Sequence, residues 1–98
     1  MVSVPAVQKA LVATEQALSG IDEELERHAA GHGRVSSAEQ LVSIRDQLAQ
    51  MALQLTSPRL PPRGQRLRGV GRVVGDSWPY GNVLGGLILE AEQLYLNA

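Results

Sequence analysis

The chain has 98 residues, no cysteine, and a formal net charge of −1 from nine basic and ten acidic side chains. That length supports one domain with a real core but not a cofactor-binding fold with a second layer of function, and the missing cysteines exclude disulfide staples, thiol catalysis and cysteine-ligated zinc. With no Phe, one Trp and two Tyr, the core must come from Leu, Val, Ile and Ala, which leaves little to stack on a base or a flat cofactor.

From Val4 the apolar residues Val7, Leu11, Leu18, Ile21 and Leu25 recur in a three-four alternation, with Thr14 and His28 in the remaining stripe positions. The spacing predicts one long N-terminal helix. Ser3 is placed to cap it, Pro5 is tolerated in its first turn, and Ser19-Gly20 predicts a kink or break, since glycine costs about 1 kcal/mol relative to alanine inside a helix. Gly31-His32-Gly33 ends this region. Ser36 stands three residues before Glu39, which reads as a capping box opening a second helix to Leu55, with Leu41, Ile44, Leu48, Met51 and Leu55 as its apolar stripe.

Thr56 to Pro62, TSPRLPP, reads as a stiff connector because its three prolines force extended backbone. Arg63 to Gly75 holds Leu67, Val70 and Val74 at helical spacing and is expected to form a short helix, held by packing against the cost of Gly64, Gly69, Gly71 and Gly75. Ser77-Trp78-Pro79 reads as the start of a last helix, whose Leu84, Leu87, Ile88, Ala91, Leu94 and Tyr95 give a broad apolar face. Gly81 and Gly85, four apart, would let another helix approach closely. The expectation is a single all-α domain over residues 1–98, a compact bundle of about four helical segments with a long N-terminal helical region.

No constellation in this sequence carries catalysis. Gly69 to Gly75 misses the dinucleotide-loop spacing by one residue and follows no strand. Glu24 and His28 lie one turn apart, but a catalytic zinc site needs more ligands than Glu24, His28 and His32 supply beside a glycine turn, so no metal or cofactor is expected. Asp22, Glu23, Glu24 and Glu26 read as a solvated helix face rather than as paired acid and base. Arg59, Arg63, Arg66, Arg68 and Arg72 suit phosphate chemistry, yet without aromatic neighbours or a recognition helix they rank nucleic acid behind protein as partner. Trp78 and Tyr80 flank Pro79 and are candidates to anchor a partner or to close the bundle's end. No segment is apolar enough to span a bilayer and none reads as a signal peptide, which makes the cytoplasm the default location.

Ser37-Ala38-Glu39, Gln40-Leu41, Ile44-Arg45 and Leu48 together resemble the second helix of small immunity proteins that neutralise NAD(P)+-degrading toxins of type VI secretion. Leu67 to Val74 (LRGVGRVV), an acidic turn at Asp76 and a long helix ending Ala91-Glu92-Gln93-Leu94-Tyr95 follow in that family's order, so the resemblance covers roughly the last two thirds of the chain. It implies a non-enzymatic immunity protein that binds a cognate toxin domain and blocks its active site by occlusion. On the residues themselves, Glu39, Arg45 and Asp46 are the expected contacts, followed by Asp22 and Glu23 and by Trp78 and Tyr80. The alternative is a structural or adaptor bundle that forms a homodimer through its glycine-bearing last helix.

Overall fold

A computed structural model describes residues 4–58, 60–79 and 81–98. Its elements are α1 (Val4–Ala29), α2 (Ala38–Thr56), a 3-10 turn (Arg63–Gln65), α3 (Val70–Ser77) and α4 (Val83–Asn97). Among the described residues there is no strand, so the all-helical expectation holds. α1 lies between α2 and α4, while α3 packs on α4. At about 1.5 Å per residue α1 alone is about 39 Å long, which sets the 45 × 22 × 19 Å shape of the whole.

α1 runs without a break through Ser19-Gly20, contrary to the expected kink. Gly20 faces α4, where an added Cβ would stand 2.7 Å from Leu84 Cδ1; tertiary packing here outweighs local propensity. Of the predicted stripe, Thr14 and Ile21 are fully buried, in line with Ala10, Ala13 and Ala17, whereas Val7, Leu11, Leu18 and Leu25 flank that line only partly buried. A helix sandwiched between two others puts small residues at the closest approach. Ser3 lies outside the described residues, and Pro5 sits in the first turn as expected.

α1 ends in a glycine cap. Gly31 has φ +80°, its N–H donates to His28 O (3.1 Å), and His32 N–H reaches back to Arg27 O (2.7 Å), the paired bonds that close a helix through a left-handed residue. The cap of α2 is Ser37 and not Ser36, since Ser37 Oγ accepts from Gln40 N–H at 3.1 Å. The serine pair made the start legible but not its register. Ser36 takes φ +64° and donates its hydroxyl to Gln40 Oε1. The stripe Leu41, Ile44, Leu48, Met51 and Leu55 is buried as the spacing required.

The last third differs most from expectation. The single helix expected over Arg63 to Gly75 is a 3-10 turn followed by α3, and Ser77 closes α3 instead of opening α4. Asn82 caps α4, accepting from Gly85 N–H at 2.9 Å. Gly81 therefore precedes the helix, at φ +80°, while Gly85 does provide a close approach, 3.0 Å from an added Cβ to Val74 Cγ1. Gly69 stands at the N-cap of α3 and has no side chain to cap it. Glu92 of α4 does so instead, its Oε2 accepting from Gly69 N–H (3.0 Å) and Gly71 N–H (3.3 Å). A carboxylate there also meets the positive end of the helix dipole.

Candidate functional site

Two buried charges fix the two ends of the bundle. Glu24 is 1 % exposed, which corrects its place on a solvated acidic face. Its Oε2 accepts the backbone N–H groups of Arg34 (2.6 Å) and Val35 (3.0 Å), and its Oε1 accepts Arg27 Nε–H at 2.8 Å. His28 Nε2 donates to Val35 O at 3.0 Å and lies 3.5 Å from the same carboxylate. Burial pushes the Glu24 carboxyl pKa up, but the Arg34 and Val35 backbone bonds and the Arg27 side chain more than offset it, so it lies below its ordinary value of 4.5. The carboxylate thus pins the α1–α2 loop to α1.

At the opposite end Arg66, 6 % exposed, donates to Pro61 O (2.9 Å), Tyr95 O (2.8 Å) and Ala98 O (2.8 Å). Its guanidinium carbon stands 5.9 Å from the Tyr95 ring centre. Burial lowers its pKa, Tyr95 opposes the shift and Arg63 adds to it, while arginine stays charged in any case. Arg66 thus satisfies the carbonyl end of α4, with Arg63 adding a bond to Asn97 O at 2.9 Å. These two arginines of the basic segment serve the fold. Arg59 lies outside the described residues, Arg68 is exposed, and Arg72 pairs loosely with Asp76 at 3.6 Å.

The expected contact residues divide into three groups. Arg45 and Asp22 meet each other across α1 and α2 at 3.1 Å, each about half exposed. Glu39 and Asp46 stand exposed on α2, where helical spacing puts them on the side away from the buried stripe. Glu23 is exposed but faces the other flank of α1, lining a cleft of about 320 Å³ with Arg27, Arg34, Asn82, Leu84 and Leu87. Trp78 is withdrawn from the surface: it is 7 % exposed and donates its indole N–H to Gln40 Oε1 at 2.9 Å. Tyr80 lies outside the described residues. Sequence reading missed the glutamines. Gln40 and Gln54, on one side of α2, hold Trp78 and the Tyr95 hydroxyl.

No protein-family model matches this chain, and no curated protein matches it either. Among the described residues no three acidic or histidine side chains converge at a metal-sized site, and no helix is long and apolar enough to cross a membrane. The carboxylate that a glycine-rich turn invites at the α3 N-terminus is the chain's own Glu92. The arrangement is a helical scaffold pinned at both ends by buried polar groups, with charged side chains on its outer faces.

Proposed function

We propose that this chain is a cytoplasmic immunity protein that binds the catalytic domain of an NAD(P)+-degrading toxin and inhibits it by covering its substrate cleft. The observation that carries the reading is the setting of α2: the helix on which the resemblance rests has an exposed polar side bearing Glu39 and Asp46, with the Arg45–Asp22 pair at its edge. Its N-terminal end is held by Ser37, Gln40 and the Glu24-pinned loop. Preorganised contacts of this kind lose little entropy on binding, and charged rim residues steer association. Occlusion requires no nucleophile or acid from the inhibitor, only a surface of about 800 Å², against 6139 Å² exposed by the chain.

The test is capture of the tagged chain from its native cells at moderate salt, followed by identification of any stoichiometric partner. A secreted protein with a toxin domain supports immunity. Recovery of the chain alone, or of a non-toxin assembly, overturns it in favour of the adaptor bundle.

A further inference from the structure

Between the outer flanks of α1 and α2 runs an apolar groove of about 480 Å³, lined by Leu11 and Leu18 from α1 and by Ala49, Ala52 and Leu53 from α2, with Glu15 and Thr56 at its margins. Leu53 is 62 % exposed and Val42, on the same side of α2, 42 %. Nothing in the fold needs these two side chains where they stand, because the buried stripe of α2 is complete without them. We propose that this groove docks a cationic amphipathic helix of another protein. The inference goes beyond the immunity reading and does not rest on the partner's being a toxin.

The shape selects a helix. Two leucines from one wall and one from the other leave a floor of two alanines, and small residues at that position let a partner helix approach to about 8–10 Å, its own apolar residues entering at i, i+3, i+4 and i+7 spacing. The charge selects a basic one. α1 and α2 carry three Lys and Arg residues, Lys9, Arg27 and Arg45. Lys9 and Arg27 line clefts on the α4 side of α1, away from the groove, and Arg45 is already paired with Asp22. Glu15 therefore faces the approaching partner at the groove's margin, and Asp46 and Glu39, exposed on α2 beyond the groove on the side of Leu53 by helical spacing, add to its acidic surroundings. A second copy of this face would oppose acid to acid, which disfavours self-pairing there.

The probe is a labelled peptide of about 18 residues with leucine and alanine on one helical face and lysine and arginine on its flanks. Its binding is followed by fluorescence anisotropy against the full chain, against Leu53→Glu, and beside a control peptide whose flanking cations are replaced by glutamate. Leu53 is exposed, so its variant is expected to keep the parent's melting temperature, and Ala49→Glu is a second variant at the floor. The expected result is binding of the cationic peptide, weakened about tenfold or more by either variant, and none of the acidic peptide. Equal binding to parent and variants, equal binding of both peptides, or no binding overturns the proposal. So does sedimentation showing a dimer that Leu53→Glu dissolves, which would assign the groove to a second copy.

Discussion

Glu24 shows how a single buried carboxylate can organise a loop that apolar patterning leaves undetermined. Replacing it with glutamine removes the charge that three donors converge on and is expected to cost about 3 kcal/mol in urea unfolding. The pH dependence follows from the direction of its shift. Because the folded pKa lies below 4.5, this stabilisation is complete above that value and is lost as pH falls through the folded pKa. Unfolding free energy between about pH 6 and pH 3 should therefore fall more steeply in the parent than in Glu24→Gln; parallel curves would show that another group carries the acid sensitivity. Arg66→Met, which leaves the α4 carbonyls and Pro61 O without their donor, should lower stability by about 2–4 kcal/mol by the same measurement, and Arg66→Lys should restore only part of it. Neither role was legible in the sequence. A glutamate in an acidic run and an arginine in a basic one look alike whether buried or solvated, and the partners that bury them include backbone groups ten or more residues away, Arg34 and Val35 N–H for Glu24 and Tyr95 and Ala98 O for Arg66.

At the scale of the elements, the sequence foretold the helices and misplaced their ends. Periodicity identified α1, α2 and α4 because an apolar stripe is read over many residues, whereas caps depend on single side chains that have near neighbours of the same kind, as with Ser36 and Ser37. The break expected at Gly20 and the single helix expected over residues 63–75 failed in opposite directions. At Gly20 the packing of Leu84 offsets glycine's local cost, whereas Gly69, at φ +126°, interrupts the expected helix and α3 starts only after it, with Glu92 accepting the Gly69 and Gly71 N–H groups. The distinction can be measured. Gly75 and Gly86 lie in helices with nothing within 4 Å of an added Cβ, so alanine at either should raise stability by about 0.5–1 kcal/mol. Gly85→Ala, whose Cβ would stand 3.0 Å from Val74 Cγ1 and 3.4 Å from Trp78, should gain less than either, because a neighbour must give way. A calorimetric gain at Gly85 as large as at Gly75 or Gly86 would mean that α3 and α4 are not packed as described.

Over the whole molecule, the two ends are held by internal polar anchors, and the long flanks of α1 and α2 carry the exposed charged side chains. The sequence pointed to the flank residues Glu39, Arg45 and Asp46 but could not separate Glu23 onto another face or show that Trp78 is enclosed, because both depend on how α1, α3 and α4 are turned against one another. If α2 contacts the partner, Asp46→Lys should slow association about tenfold at low salt without changing the melting temperature; an unchanged rate removes Asp46 from the interface. The direct test of the proposed occlusion is NAD(P)+ hydrolysis by the captured partner as this chain is titrated in. Occlusion predicts that hydrolysis ceases at one equivalent. Hydrolysis that persists at saturation, or a bound partner with no such activity, would contradict it.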